Sequence, residues 1–164
     1  MNKTGIYPGT FDPITHGHID VIKRSLKIVN KLIIAVSNDH SKDYLFSSEE
    51  RVKIIKDSLF KDLKFKNKKI LVISFNTLTT SICSKYNANI IFRGLRAVSD
   101  FEYEFQLAGM NRQLNKKIET VFLMSDPDNQ VISSKFVKEI AKLGGKVDDF
   151  VTKSTKKAIK EKYD

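Results

Sequence analysis

The segment GIYPGTFDPITHGHIDVI, residues 5–22, contains the turn that decides the fold. A short apolar run reaches Tyr7 and stops at Pro8-Gly9, and apolar residues follow helical spacing after Gly17. A buried strand that leads directly into a helix is the repeating unit of α/β proteins. We therefore predict a strand, a loop with a close-approach glycine, and a helix whose free N–H groups are suited to phosphate.

The same alternation of strand and helix continues along the chain. Apolar runs typical of buried strands follow at residues 32–36, 70–75, 90–92 and 121–124, with amphipathic helices between them. Two spacings indicate helix capping boxes, Ser47 with Glu50 and Ser99 with Glu102. The pattern predicts one α/β domain over residues 1–164, with a doubly wound, five-stranded parallel sheet, helices on both faces, and a C-terminal helix from about residue 154.

Composition excludes several classes of protein. The chain has 164 residues, 41% of them hydrophobic, which is not the composition of a disordered chain. Its longest unbroken apolar run, residues 32–36, is far shorter than the ~20 residues of a membrane span. A single cysteine, Cys83, cannot form an internal disulfide, so a reducing cytoplasm is the expected compartment.

The formal net charge of +10 favours, by itself, a protein that binds nucleic acid. The charge comes from 24 lysines and only five arginines, and the lysines are spread along the whole chain rather than grouped in one segment. We therefore expect small anions rather than nucleic acid as partners, and no membrane. A basic nucleic-acid-binding module is kept as a distant alternative.

Polar clusters follow four of the predicted strands at their carboxyl ends, where open α/β sheets bind ligands. The first cluster contains Thr10 and His18, and the second ends at Lys42. The third contains Arg93 and Arg96, whose planar forks can each hold a phosphate with two hydrogen bonds. In the fourth, hydroxyl groups at residues 133–134 open a helix whose free N–H groups form a second anion site.

Each cluster also has a structural interpretation. On the residues alone, Lys42 is more simply one surface lysine among many, and Ser133 is more simply a helix N-cap. The two arginines are close in sequence to Asp100, Glu102 and Glu104, which would pair with them, but the scarcity of arginine elsewhere favours binding.

Two further features were weighed for chemistry. His16 and His18 are two residues apart, so a helix places them on different faces, and no nearby acidic or cysteine ligand completes a set; we predict no metal site made by protein ligands. Cys83 is predicted to be a small buried residue rather than a nucleophile.

The helix predicted over residues 101–114 has two apolar rows. A helix that is apolar over so wide an arc is buried on two sides. The second side is explained equally well by a subunit interface, by the wall of a ligand pocket, or by a position in the centre of the core.

The motifs resemble those of the bacterial phosphopantetheine adenylyltransferase family over essentially the whole chain. The Gly-His pair marks only the wider nucleotidyltransferase superfamily, whereas the arginine string and the Phe-Glu-Tyr-Glu string are more specific. The residues that carry the resemblance are Tyr7-Pro8-Gly9-Thr10-Phe11-Asp12-Pro13-Ile14-Thr15, Gly17-His18-Ile19-Asp20, Arg93-Gly94-Leu95-Arg96-Ala97-Val98, Asp100-Phe101-Glu102-Tyr103-Glu104 and Ile132-Ser133-Ser134.

The resemblance implies a Rossmann-like fold, a homohexamer and a reaction. In that reaction ATP and phosphopantetheine, with Mg²⁺ as cofactor, give dephospho-coenzyme A and pyrophosphate. Catalytic roles are implied for His18, as transition-state stabiliser, and for Lys42 and Arg96. Phosphopantetheine contacts are implied for Thr10, Lys42, Thr79 and Arg93, and ATP contacts for Thr10, Phe11, His18, Gly94, Leu95, Arg96, Glu104, Asn129, Gln130, Val131, Ile132, Ser133, Ser134 and Lys135.

The sequence departs from the family pattern in two places. Lys135 stands where the family usually has Ser or Thr, and residues 126–131 lack the usual aromatic side chains. Thr15, in the place of the superfamily's first histidine, is usual for this family. A superfamily member that uses a nicotinate nucleotide or a phospho-alcohol as acceptor is the alternative enzyme.

Overall fold

The sheet of the computed structural model, which describes residues 3–39, 41 and 43–163, has five parallel strands in the order β3-β2-β1-β4-β5. This confirms the predicted sheet. The strands are β1 Thr4–Gly9, β2 Lys31–Ser37, β3 Ile70–Phe75, β4 Ile90–Leu95 and β5 Glu119–Met124.

Helices connect the strands and complete the α/β arrangement. A π-helical turn, Asp57–Asp62, extends the second helix, and two 3₁₀ turns cover Asn67–Lys69 and Pro127–Asn129. The α-helices are α1 His16–Ser25, α2 Ser48–Lys56, α3 Thr79–Lys85, α4 Val98–Leu114, α5 Ser134–Lys142 and α6 Lys153–Tyr163. In the part of the chain that is described, none of these helices has the length and apolar character needed to cross a bilayer.

Alternate residues of the central strands are buried on opposite faces of the sheet, as strand geometry requires. Tyr7 and Ile34 pack on one face with residues of α1, α2, α5 and α6. Ile6 and Ile33 pack on the other face with Ile82 and Cys83 of α3. Cys83 is fully buried as predicted, and burial raises the pKa of its thiol to about 11.

Two predicted helix caps form and one does not. Ser47 and Glu50 make the expected reciprocal capping box, and the Ser133 hydroxyl accepts the backbone N–H of Phe136 at 3.1 Å. The prediction of a box at Ser99 and Glu102 is wrong, because α4 begins at Val98 with Ala97 as its N-cap.

The apolar rows of α4 are exposed in the single chain, which excludes the interpretation of α4 as a central core helix. Its buried residues are Glu104 and Asn111. Tyr103 is 65% exposed and Phe105 is 63% exposed, and the remaining exposed apolar residues of this face are Val98, Phe101, Met110 and Leu114. The unpaired face therefore favours contact with something outside the chain.

The order of the strands places a crevice at the carboxyl end of β1. The chain runs outward from β1 to β2 and β3, and then returns to the other side of β1 for β4 and β5. Loops leave β1 and β4 in opposite directions at this switch point, where open α/β sheets bind ligands. Three of the four polar clusters lie around this crevice.

Gly5 on β1 packs against the ring of Phe92 with no room for a side chain, and we predict that Gly5→Ala destabilises the protein. A Cβ there would lie 2.5 Å from Cε2 of Phe92. Overpacking of this kind costs about 1–3 kcal/mol, which urea unfolding of the variant measures. The double variant with Phe92→Leu should lose less than the sum of the two single changes. Strict additivity would contradict the contact.

Candidate active site

A cleft of about 380 Å³ lies at the carboxyl ends of β1 and β4. The loop after β1 and the first turn of α1 form one wall, the end of β4 and the start of α4 form another, and the start of α5 closes the third side. The lining includes eleven of the predicted site residues, which are Thr10, Phe11, His18, Arg93, Gly94, Arg96, Glu104, Ile132, Ser133, Ser134 and Lys135.

His18 has a defined tautomer because it takes part in capping α1. The backbone N–H of Thr15 donates to His18 Nδ1 at 3.1 Å, and the Thr15 hydroxyl lies 3.0 Å from the same nitrogen. In this capping box the histidine occupies the position that is normally Glu or Gln. Since Nδ1 accepts, the proton of the neutral ring is on Nε2, which is available as a donor.

The environment of His18 keeps the imidazole neutral. Burial is the main cause, and the positive charges of Arg96 and Arg93 add to it, so that the pKa of His18 falls to about 4. The ring packs against Phe11, with centroids 5.0 Å apart, and more loosely against Tyr7. At neutral pH the cleft therefore presents a neutral N–H donor from His18 beside two guanidinium groups.

Arg93 and Glu104 form a bidentate ion pair across the cleft. Arg93 Nε donates to Glu104 Oε2 at 2.6 Å, and Nη2 donates to Oε1 at 2.5 Å. Nη1 donates to the carbonyl of Pro8 at 2.8 Å, which leaves one N–H on each terminal nitrogen without a hydrogen bond among the described residues. Burial lowers the pKa of Arg93, but the hydrogen bonds and charge of Glu104 outweigh burial and raise it.

Arg96 is paired more weakly at the rim of the cleft. Its Nε lies 3.4 Å from Asp100 Oδ2, and its backbone N–H donates to the same oxygen at 3.1 Å. Both arginines thus have carboxylate partners, as the structural interpretation of this segment expects, and both still line the cleft. The carboxylates already orient both guanidinium groups. Binding a phosphate would therefore cost less side-chain conformational entropy.

The start of α5 contributes backbone donors more than hydroxyl groups. The Ser133 hydroxyl caps the helix, and the Ser134 hydroxyl donates to the carbonyl of Pro13 at 2.7 Å. Ser133 is thus the helix N-cap that the residues alone favoured, and the Ser134 hydroxyl is also bonded within the protein. The groups that could face a bound anion here are the backbone N–H groups of the first turn that the Ser133 cap does not use.

Five predicted site residues among those the structure describes do not line the cleft. Leu95 is buried at the end of β4, Val131 is exposed to solvent, and Thr79 begins α3 further along the sheet edge. The carbonyl of Asn129 would lie 3.7 Å from a Cβ at Gly17, so the loop that contains Asn129 and Gln130 packs close to the start of α1. Lys42 lies outside the described residues.

Two residues that shape the cleft were not among the predicted site residues. Tyr7 opens the first motif without a role assigned to it, yet it lines the cleft, and its ring is in edge contact with Phe11. Burial raises the pKa of its hydroxyl, which stays protonated. Asp100 was named only as a partner of the arginines, and it also lines the cleft.

Asp12 is a third residue that was not predicted as part of the site, and it holds the walls of the cleft together. Its buried carboxylate accepts backbone N–H groups from Leu45 at 2.9 Å and Phe46 at 3.0 Å. Lys138 on α5 donates to the same carboxylate at 2.8 Å. One side chain in the loop after β1 thus fixes both the segment before α2 and the helix that closes the third side.

The fold and cleft place the chain in a class of nucleotide-transferring proteins. A family model described as Cytidylyltransferase-like matches residues 6–140. A protein of Vibrio parahaemolyticus has the same fold, with a TM-score of 0.73 at 17% identity over 97% of this chain and 99% of its own. A bifunctional NMN adenylyltransferase/ADP ribose pyrophosphatase of Francisella tularensis has a TM-score of 0.69 at 14% identity, over 92% of this chain and 44% of its own.

More similar relatives define the family within that class. A phosphopantetheine adenylyltransferase of Pelagibacter ubique is 66% identical over all 164 residues, which is 100% of both chains. One of Caulobacter vibrioides is 52% identical over 91% of this chain and 90% of its own. The chain belongs to the phosphopantetheine adenylyltransferase family.

We predict that the His18 ring in the ligand-free protein titrates with a pKa of about 4 and is in the Nε2–H form above it. Proton and ¹⁵N NMR of the imidazole measures both quantities. His16, whose pKa burial lowers less, gives an internal comparison. A His18 midpoint near the ordinary 6.5, or a dominant Nδ1–H form, would show that the cap and the burial do not control the ring.

Proposed function

We propose that this chain transfers the adenylyl group of ATP to phosphopantetheine, which releases pyrophosphate and gives dephospho-coenzyme A. The observation that carries the proposal is the neutral Nε2–H donor of His18 beside Arg93 and Arg96, all at the switch point of the sheet. The family to which the chain belongs supplies the identity of the substrates, because its members are named for that acceptor.

The reaction is a direct in-line displacement. An oxygen of the acceptor phosphate forms a bond to the α-phosphorus of ATP, and the bond from that phosphorus to the bridging oxygen of pyrophosphate breaks. The attacking phosphate is already ionised at neutral pH, so the protein need not remove a proton. Catalysis then consists of positioning the two phosphates and stabilising the charge that develops between them.

Each cleft residue has a distinct place in this scheme. His18 Nε2–H donates to an oxygen of the α-phosphate, where negative charge grows in the transition state. The remaining N–H groups of Arg93, together with Thr10, hold the acceptor phosphate. Arg96 and the first turn of α5 bind the phosphates of ATP. We include Lys42 as a further phosphate ligand on the family resemblance.

Mg²⁺ enters this scheme as part of the nucleotide substrate. Among the described residues no cluster of three His, Cys, Asp or Glu side chains could hold a metal ion, and the cleft carboxylates Asp100 and Glu104 are bonded to arginines. Magnesium commonly binds through substrate phosphates with few protein ligands. Bound to ATP, it supplies neutralisation of the leaving pyrophosphate.

His18→Ala should lower the turnover number about 10²–10³-fold, since that is the typical cost of removing one donor to a developing oxyanion. Pyrophosphate release with ATP and phosphopantetheine measures it, and circular dichroism checks the fold. His16→Ala is the matched control, two residues away and outside the cleft lining. Near-normal turnover of His18→Ala would eliminate the role given to this ring.

An acceptor panel separates this function from other transferases of the same fold. Phosphopantetheine, nicotinate mononucleotide and a phospho-alcohol are each supplied with ATP or CTP, and pyrophosphate is measured. Turnover restricted to phosphopantetheine and ATP is the expected result. Preference for either other acceptor would overturn the assignment, and duplex DNA binding with a steep salt dependence would favour a nucleic-acid module instead.

We further propose that the chain assembles as a homohexamer in the cytoplasm. The support is the exposed apolar face of α4, since contiguous apolar surface of this kind is typical of interfaces between subunits. Cytoplasmic location fits the substrates, because ATP and a free thiol are both maintained in that reducing compartment.

A charged side chain introduced into the exposed apolar face of α4 should dissociate the proposed hexamer. Met110 is 64% exposed in the single chain, so Met110→Glu should leave the fold intact and yield smaller species. Size-exclusion chromatography with light scattering should give about six times the 18.8 kDa chain mass for the parent protein. Lys27→Glu, at an exposed site in the turn after α1, is the control. A monomeric parent protein at micromolar concentration would contradict the proposal.

A further inference from the structure

Arg51, on α2, is a fully buried cation outside the cleft lining. Its relative exposure is 0%, and within the described part of the chain it forms no ion pair with a carboxylate. Its guanidinium carbon lies 4.0 Å from the ring centroid of Tyr44. Nη2 is buried without a hydrogen-bond partner among the described residues. Burying a charged side chain without a carboxylate partner lowers the stability of the fold. The position of Arg51 therefore calls for an explanation.

The remaining donors of Arg51 join three segments of backbone. Nη1 donates to the carbonyls of Thr10 and Ser37, each at 2.8 Å. Nε donates to the carbonyl of Phe46 at 3.1 Å and more weakly to that of Ser47 at 3.4 Å. The guanidinium therefore links the loop after β1, the carboxyl end of β2 and the start of α2.

A second guanidinium binds the backbone just before Thr10, at the end of β1. Arg93 Nη1 donates to the carbonyl of Pro8, two residues earlier, at 2.8 Å. The backbone of residues 8–10 is thus held between two guanidinium groups, one from β4 and one from α2. Arg93 also lines the cleft, whereas Arg51 reaches the site only through the backbone it holds.

The buried carboxylate of Asp12 binds the same stretch of backbone as the Arg51 guanidinium. It accepts the N–H of Phe46, while Arg51 donates to the carbonyl of the same residue. Two buried charges of opposite sign are therefore coupled through the backbone of Phe46, and both act on the loop after β1. Rigid support of this type fixes a binding geometry to within a few tenths of an ångström.

We propose that Arg51 is a positioning residue for the acceptor half of the site, which fixes the backbone of Thr10 relative to Arg93. This rests on the proposed function, in which Thr10 and Arg93 hold the acceptor phosphate. Among the described residues Arg51 has no direct hydrogen bond to the end of β4 or to the start of α5, so its loss should affect the acceptor more than ATP.

Arg51→Lys tests the proposal, because lysine keeps the charge but lacks the fork that reaches separate carbonyls. We expect kcat/KM for phosphopantetheine to fall about 10²-fold, as misplacement of a reacting group does, with KM for ATP within about twofold. Tyr44→Leu, which removes the ring over the guanidinium, should act in the same direction by about threefold, and it decides the question if Arg51→Lys does not fold. Arg112→Lys, on the exposed end of α4, is the control.

Either of two outcomes would overturn the proposal. One is an unchanged kcat/KM for phosphopantetheine in Arg51→Lys. The other is an equal loss of kcat/KM for phosphopantetheine and for ATP, which a merely structural role predicts. The amide exchange of the ligand-free protein gives a readout that does not depend on turnover. In Arg51→Lys, peptides covering residues 8–12 and 43–47 should exchange faster, and one covering residues 90–95 should not.

Failure of the proposed function and failure of the positioning role of Arg51 give different experimental results. If the parent protein does not use phosphopantetheine, the proposed function fails, and the exchange experiment still shows whether Arg51 fixes the loop. If the parent protein is active and the exchange of residues 8–12 is unchanged in Arg51→Lys, the positioning role alone is wrong.

Discussion

The fixing of the loop between β1 and α1 is the constraint on which the rest of the site depends. Groups from β4, α2, α5 and the segment before α6 bond to this loop or to the residues at its two ends. Arg93 holds Pro8, Arg51 holds Thr10, Ser134 holds Pro13, and the backbone N–H of His16 donates to the carbonyl of Phe150 at 2.8 Å. A loop with so many partners has little conformational entropy left to lose when a ligand binds, so binding energy is available for the reaction.

The electrostatics of the cleft follow from the same arrangement. Fixing Thr15 orients the donor that sets the tautomer of His18, and burial, together with the positive charges of Arg96 and Arg93, keeps the ring neutral. The pairing of Arg93 with Glu104 limits the net charge of the empty cleft while it orients the fork. A protein with a net charge of +10 thus concentrates its ligand-directed charge in a few oriented groups, and most of its lysines are at the surface.

Much of the fold could be predicted from the sequence, because its signals are local. The apolar runs at residues 32–36 and 70–75 gave strands close to their observed bounds, since a strand buried on both faces has few alternatives. The box at Ser99 failed because the N-cap of α4 is Ala97, two residues earlier, and Asp100 accepts the N–H of Arg96. The cleft residues near strand ends were predicted as a group for the same topological reason.

The supporting contacts could not be predicted, because their partners are distant in sequence. Arg51 appears in the sequence as one charged residue on a helix, and its partners at Thr10 and Ser37 lie 41 and 14 residues away. Lys138 and Asp12 are separated by 126 residues. No local pattern distinguishes such a buried charge from a solvated one, so only the tertiary structure identifies it.

The helix α4 has a mechanical consequence that follows from its length and its two faces. Glu104, on its buried side, orients Arg93, while Tyr103 and Phe105, its neighbours in sequence, point outward. Both faces belong to one continuous helix of 17 residues, so a tilt of the helix that shifted Glu104 would also shift the outer face. A partner that packs against that face would therefore influence the orientation of the Arg93 guanidinium in the cleft.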